Sequence, residues 1–348
     1  MNKAIRRWQI ACALLVHCAM ASAQSDVQSD VANAIRPDQR IETAYVLHYA
    51  PAPTADIEEI ASLLLHTKFS SLRPSMLEDD QGASVRVMTL DMGANGIKPP
   101  GATSELLYRY GIAQKQIDAL QSSKLAAVIA FSYDGATAVS ALEQATAFAR
   151  ELAARTDALI WDAETRELFS ADAWAERRMA ASDVELPEVR KHIAIRAYHV
   201  DRDHVRAVTS GMRKFGLPDV VVNDVPWWLT QEIGTTMRLL AQALVEGPVP
   251  ALGMFDLDVT TIKQQRIRKH IEASLDRYPT ASVAFLALRE AKPTAGDPDN
   301  RLIEVTFDRY PGRNALERYA RFSSEFFGSG ERATVLERDP AAMVASKP

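Results

Sequence analysis

Residues 125–131 read LAAVIAF, and residues 136–154 read ATAVSALEQATAFARELAA. The first stretch is a short, continuous apolar run, which is typical of a buried β-strand. The second stretch has apolar residues at helical spacing, which predicts a helix that covers this strand. These residues are Val139, Leu142, Ala145, Ala149 and Leu152. A strand followed by a covering helix is therefore the unit from which we expect the fold to be built.

The segments on either side of this unit continue the alternation of strands and helices. Residues 43–50 are rich in β-formers and stop at Pro51-Ala52-Pro53, after which a helix with one apolar face is predicted. The apolar residues of that helix are Ile57, Ile60, Ala61 and Leu64. Residues 85–92 alternate as a strand, and residues 158–169 indicate a hairpin around the turn at 162–165. The charged residues at 172–178 are interpreted as a solvated helix face.

A second series of elements begins after the polar residues 182–187. Strands are predicted at residues 192–198, 220–222, 281–288 and 302–307. A helix is predicted directly after the first of these strands, with its apolar face at Val205, Val208, Met212 and Phe215. Further helices are predicted after Thr230, which is a candidate N-cap, at 263–275 and after Asn314, which forms a capping signal with Glu317. The polar loop at 292–300 is predicted to be mobile.

Together these patterns predict an α+β fold with two domains. Each domain is expected to be an α/β-sandwich in which helices cover a mixed or antiparallel sheet. The predicted order is a signal peptide at 1–23, a flexible leader at 24–40, an N-terminal α+β domain at 41–181, a C-terminal α+β domain at 188–335 and a flexible tail at 336–348.

The first 23 residues are typical of a cleaved secretory signal peptide. Lys3, Arg6 and Arg7 supply a basic start, residues 10–20 are apolar apart from one histidine, and residues 21–23 read ASA. Small residues at these positions predict cleavage between Ala23 and Gln24. The apolar run is about half the roughly 20 residues that a membrane span requires. We therefore expect a soluble periplasmic or secreted protein without a membrane anchor.

Cleavage also removes both cysteines and three positive charges from the chain. Cys12 and Cys18 lie inside the signal, so the mature chain is expected to contain neither a disulfide nor a catalytic thiol. His17 stands where lipid attachment to Cys18 would require a small residue. The formal net charge changes from −5 to −8 when Lys3, Arg6 and Arg7 are removed. This charge disfavours binding to nucleic acid or to an anionic membrane.

Common catalytic and cofactor motifs are missing from the sequence. There is no G-x-G-x-x-G and no G-x-x-x-x-G-K-[ST], which are the usual nucleotide-binding loops. The mature chain also lacks the G-x-S-x-G and S-x-x-K patterns of serine nucleophiles. No cofactor is predicted.

A metal site is one alternative, because four potential ligands occur within six residues. They are His199, Asp201, Asp203 and His204. The pattern resembles the H-x-H-x-D-H signature of metallo-β-lactamase-fold hydrolases, but Asp201 stands where that signature has a histidine. The competing interpretation is that Asp201 or Asp203 caps the helix predicted to begin here.

Two further features suggest a binding site. Trp227 and Trp228 precede a predicted helix, where a tryptophan pair can stack on a sugar, anchor a protein partner or pack the helix onto a sheet. Asp219, Asn223 and Asp224 bracket a short apolar strand, where they can line a cleft or cap the strand ends. These five residues are the candidate binding residues.

Two stretches carry a resemblance to other proteins. Residues 159–165 read LIWDAET and lead to Phe169, Ser170 and Trp174, and residues 214–222 read KFGLPDVVV. They are similar to segments of an uncharacterised family of bacterial, often exported proteins. The resemblance covers residues 155–247 and implies a grouping without an assigned activity.

We therefore expect an exported protein of the periplasm whose function is binding. Its expected partner is a protein or a small ligand of the cell envelope, and it is not expected to carry out chemistry. The alternative is a metal-dependent hydrolase that uses the cluster at residues 199–204.

Overall fold

The computed structural model describes residues 40–49, 56–75, 82–94, 99, 112–179, 186–248, 250–278, 280–328 and 330–337. The predicted signal peptide with Ala23 and Gln24, the leader up to residue 39 and most of the predicted tail lie outside these residues, as do residues 182–185 of the predicted domain boundary. The described residues form two sheets of six strands each, and each sheet combines parallel and antiparallel pairs. The predicted α+β class with two sheet-containing halves is confirmed.

The first sheet is built from residues 40–169. Its strands are β1 (Arg40–His48), β2 (Arg73–Pro74), β3 (Ser84–Asp91), β4 (Leu125–Asp134), β5 (Leu159–Asp162) and β6 (Glu167–Phe169). They lie in the order β2-β3-β4-β1-β5-β6, and only β2 and β3 are parallel. The hairpin predicted at 158–169 is confirmed as the antiparallel pair β5 and β6.

Helices cover both faces of this sheet. They are α1 (Ile57–Thr67), α2 (Gln114–Gln121), α3 (Ala138–Thr156) and α4 (Ala171–Trp174), which continues as one π-helical turn (Ala175–Met179). The apolar faces of α1 and α3 form one core with β1, β3 and β4. Helix α2 packs on the opposite face, against Leu159 and Leu168. The strand and covering helix predicted around residues 125–154 are thus confirmed.

The second sheet is built from residues 194–306. Its strands are β7 (Ala194–His199), β8 (His204–Ser210), β9 (Asp219–Pro226), β10 (Gly253–Asp258), β11 (Val283–Glu290) and β12 (Leu302–Thr306). Their order is β10-β11-β12-β9-β8-β7, with β12 and β9 parallel. The helices α5 (Thr230–Glu246), α6 (Gln265–Arg277), α7 (Ala315–Phe327) and α8 (Glu331–Glu337) share one apolar core with this sheet.

The helix predicted directly after β7 is wrong. Val205 and Val208 belong to strand β8, and only residues 212–215 form a short 3-10 helix. Val205 faces the core shared with the helices, whereas Val208 lies in a small apolar cluster on the other side of the sheet. A strand buried on both faces has no polar alternation, so its apolar residues can match a helical spacing by chance.

The helix-start predictions have different outcomes. The Asn314 side chain accepts a hydrogen bond from the Glu317 backbone N–H at 2.9 Å, so the predicted cap of α7 is confirmed. Thr230 is instead the first residue of α5, and its hydroxyl donates to the Trp227 carbonyl oxygen at 2.8 Å. No helix within the described residues has the length and apolar character needed to cross a bilayer.

Candidate functional site

The two stretches that carry the family resemblance meet where the halves of the chain pack together. Asp162 ends strand β5, and Lys214 lies in the 3-10 helix between β8 and β9. Lys214 Nζ is 2.5 Å from Asp162 Oδ2, and both side chains are completely buried. The Tyr133 hydroxyl donates to the Lys214 carbonyl oxygen at 2.9 Å. The second half of the chain therefore inserts this lysine into the core side of the first sheet.

A second ion pair lies beside the first. Arg178 Nη2 is 2.6 Å from Glu167 Oε2 and 3.0 Å from Asp162 Oδ2. It also donates to Thr165 Oγ1 at 2.9 Å, and its guanidinium lies 4.8 Å from the centre of the Phe169 ring. The prediction of a solvated helix face at 172–178 is wrong for Arg178, because its side chain is only 4% exposed and pairs with carboxylates of the β5–β6 hairpin. We call Asp162, Glu167, Arg178 and Lys214 the junction cluster.

The junction cluster balances its own charge, with two carboxylates and two cations. Burial alone raises the pKa of Asp162, but Lys214 and Arg178 outweigh burial and leave that pKa lowered. Burial lowers the pKa of Lys214 in spite of the Asp162 charge. Because isolated buried charges cost several kcal/mol each, a balanced set is the form in which they can be accommodated.

Two further carboxyl groups near the junction have raised pKa values. Burial raises the pKa of Glu164 to about 7. Burial also raises the pKa of Asp219 to about 6. The Asp219 carboxylate accepts from Thr209 Oγ1 at 2.8 Å, from Met212 N at 3.2 Å and from Asn300 Nδ2 at 2.8 Å. Asp219, a candidate binding residue, is fully buried and therefore has no surface to offer a ligand.

Asn223 lies in a polar network on the outer face of the second sheet. Its side chain contacts Arg206 and donates to Glu304 at 2.7 Å. Arg206 in turn pairs with Asp297 at 2.8 Å, inside the loop that was predicted to be mobile. The structure thus ties residues 292–300 to the sheet. Asp224, the next candidate, is exposed and has φ 50°.

The four residues predicted as a metal site form a hairpin turn instead. Asp201 accepts from the backbone N–H groups of Asp203 and His204, both at 2.8 Å, and contacts His204 Nδ1 at 3.0 Å. Within the described residues, which include His199, no three His, Cys, Asp or Glu side chains are arranged to hold a metal ion. The predicted metal cluster is therefore wrong. The predicted cap is wrong too, since Asp201 closes a turn between strands.

The tryptophan pair is exposed beside that turn. The exposed fraction is 55% for Trp227 and 49% for Trp228. Their ring centroids are 6.1 Å apart, and their planes stand at 88°. The Trp227 backbone N–H donates to the Asp203 carbonyl oxygen at 3.0 Å, and Val200 in the same hairpin tip is 58% exposed. We call Trp227, Trp228 and the hairpin tip at residues 200–203 the tryptophan surface.

Comparison of the chain with models of protein families, with curated protein sequences and with solved structures gives no match. The resemblance of residues 159–165 and 214–222 to exported bacterial proteins stays a prediction. The contacts of the chain itself therefore carry the functional conclusion.

Proposed function

We propose that the protein is a non-catalytic binding protein of the cell envelope that holds a protein partner on the tryptophan surface. The observation that carries this proposal is the exposure of about half of each tryptophan side chain. Tryptophan is usually well buried in a folded chain, and it is enriched among the residues that dominate protein interfaces. Val200 extends the exposed apolar area into the adjacent turn.

The ring geometry favours a protein partner over a sugar chain. Sugar rings bind tryptophan through their flat faces, so two tryptophans under one glycan need similar ring orientations. Trp227 and Trp228 instead stand almost perpendicular to each other. This arrangement makes a corner that suits one apolar side chain of a partner.

The charges around the pair suggest what surrounds that side chain. Asp201 and Asp203 are exposed in the hairpin tip on either side of the exposed Arg202, and Asp224 is exposed three residues before Trp227. Complementary charges across an interface increase association rates and specificity. The partner segment is therefore expected to carry lysine or arginine next to its apolar residue.

The non-catalytic part of the proposal is supported by the position of the shifted titratable groups. Groups with strongly perturbed pKa values often mark active sites, although structural ion pairs produce the same signal. Here Asp162, Lys214 and Asp219 are enclosed in the protein, where a substrate has no access. The envelope location rests on the signal-like residues 1–23.

Site-specific photocrosslinking in the native host tests the proposal. A photoreactive residue at Val200 should give a discrete crosslinked product that disappears in a Trp227→Ala/Trp228→Ala background and weakens at high salt. The same residue placed at Leu63, which is 53% exposed on α1, should not give that product. Failure to crosslink from Val200, or the same product from both positions, would contradict the proposal.

A further inference from the structure

Lys214 and Asp162 place an amine and a carboxyl group in contact where water does not reach. Nζ lies 2.5 Å from Oδ2, and both side chains are 0% exposed. Nζ is also 5.9 Å from the centre of the Tyr45 ring, and Tyr45 stands opposite Asp162 in the sheet. An amine and a carboxyl group held in this way have the proximity that bond formation between them requires.

A second ion pair, between Arg178 and Glu167, lies beside these two groups. Arg178 Nη2 lies 2.6 Å from Glu167 Oε2 and 3.0 Å from Asp162 Oδ2, so its charge is shared between the two carboxylates. Transfer of one proton from Lys214 to Asp162 then gives a neutral amine beside a neutral carboxylic acid. A buried site favours uncharged forms. The ion pair is the resting form. A small population of the neutral form is sufficient, because the amide bond formed from it can be broken only by hydrolysis, and water does not reach this site.

We propose that Lys214 Nζ and Asp162 Cγ become joined by an intramolecular isopeptide bond. The nitrogen lone pair attacks Cγ, a tetrahedral centre forms, and this centre expels one carboxyl oxygen as water. The neutral amine brings two hydrogens, of which one stays as the amide N–H. The other hydrogen joins the carboxylic acid proton and the expelled oxygen in the water molecule. The reaction requires no oxidant, reductant or co-reactant.

The new amide finds a hydrogen-bond partner for its N–H and for its carbonyl oxygen. Lys214 Nζ lies 3.0 Å from the His192 carbonyl oxygen, which can accept from the new amide N–H. The carboxyl oxygen that remains becomes the new carbonyl oxygen. If Oδ1 remains, it can accept from the Thr165 backbone N–H at 3.3 Å, and if Oδ2 remains, it can accept from Arg178 Nη2 at 3.0 Å. Burying one satisfied amide costs less than burying two charges.

Intact-mass measurement on the denatured full chain tests the proposal. The measured mass should be lower than the mass calculated for the uncrosslinked chain by one water, about 18 Da. Trypsin should release residues 156–166 joined to residues 214–238, since a crosslinked Lys214 is not cleaved. A mass equal to that calculated for the uncrosslinked chain, together with cleavage after Lys214, would overturn the proposal.

Variants at the same positions identify the bond. Asp162→Asn should lose ammonia, about 17 Da, because its side-chain amide has a different leaving group. Lys214→Arg should have the mass calculated for an uncrosslinked chain. The control Lys191→Arg, at a part-exposed lysine paired with Glu188, should still be about 18 Da lighter than its calculated mass. A loss of water that persists in Lys214→Arg would place the dehydration elsewhere and overturn the bond.

Discussion

The backbone N–H of Trp227 donates to the carbonyl oxygen of Asp203 at 3.0 Å, which ties the turn of the tryptophan pair to the tip of the β7–β8 hairpin. The turn is therefore held by main-chain atoms. About half of each tryptophan is exposed, so the contribution of the pair to binding can be measured separately from its contribution to folding.

Replacement of the exposed pair should affect stability far less than replacement of a buried tryptophan. Trp227→Ala/Trp228→Ala is expected to lower the free energy of unfolding by about 1 kcal/mol or less, as for other surface changes. Trp174→Ala should lower it by about 3–5 kcal/mol, because Trp174 is completely buried and donates to the Thr146 carbonyl oxygen. Urea unfolding of both variants provides the measurement. Similar losses would mean that the exposed pair is structural.

Removal of the buried guanidinium should be costly. Arg178→Met leaves Glu167 without its cation and Asp162 with one fewer, so we expect a loss of about 3–5 kcal/mol in the free energy of unfolding. The control is Arg313→Met, which removes the solvent-exposed partner of Glu317 and should cost less than about 1 kcal/mol. Equal losses in urea unfolding would show that the junction cluster contributes no more than a surface pair.

Protonation of Asp219 should make stability depend on pH. Its pKa is raised from 3.8 to about 6 in the folded protein, so the folded state holds the proton more tightly than the unfolded state. The stabilisation from this proton is fully present below about pH 4 and is lost as the pH rises to about 6. Burial also lowers the pKa of His48, to about 4, and that of His192, and both histidines give the opposite trend.

A comparison with Asp219→Asn isolates the carboxyl group from these histidines. The free energy of unfolding of the wild type minus that of Asp219→Asn should fall by about 2 kcal/mol between pH 4 and pH 6, since one pKa unit corresponds to about 1.4 kcal/mol. Denaturant unfolding at several pH values measures the difference. A difference that stays constant over this range would refute the assignment.

Close packing at one glycine should make it intolerant of a side chain. Gly211 has φ 109°, and a Cβ there would lie 2.7 Å from the His192 carbonyl oxygen and 3.0 Å from Thr165 Cγ2. Gly211→Ala is expected to cost about 2 kcal/mol or more, through backbone strain together with the clash. Gly253 is the matched control, since it also has a positive φ, 124°, but a Cβ there would meet no atom within 4 Å. Gly253→Ala should cost only the strain, and equal thermal shifts would show that the contact is unimportant.

The sequence was sufficient to predict those elements whose signal is local. The run at 125–131, the helix after it and the cap at Asn314 depend on residues that lie close together in the chain. The apolar residues of strand β8 fit a helical spacing, because a strand that is buried on both faces lacks the alternation of apolar and polar residues. Periodicity describes one element at a time and does not show which elements pack on each other.

The junction cluster could not be predicted for a related reason. Lys214 pairs with Asp162, which lies 52 positions earlier in the chain. Arg178 pairs with Asp162 and Glu167 of the preceding β5–β6 hairpin. Charged residues in a segment look the same in sequence whether they face water or a distant opposite charge. The exposed tryptophan pair was accessible to sequence reasoning because two adjacent tryptophans are unusual, but only the structure gives their exposure.

The parallel pairing of β9 with β12 affects the order in which the second sheet can be completed. Leu302 stands opposite Asp219, 83 positions earlier in the chain, so β9 gains its second neighbour only when residues 302–306 are available. Contacts between such distant segments slow folding, because a long loop must close before the pairing contributes stability. In a chain made from its N-terminus, β9 keeps one unpaired edge while residues 227–301 are added. The second sheet is therefore completed by the last of its six strands to be made.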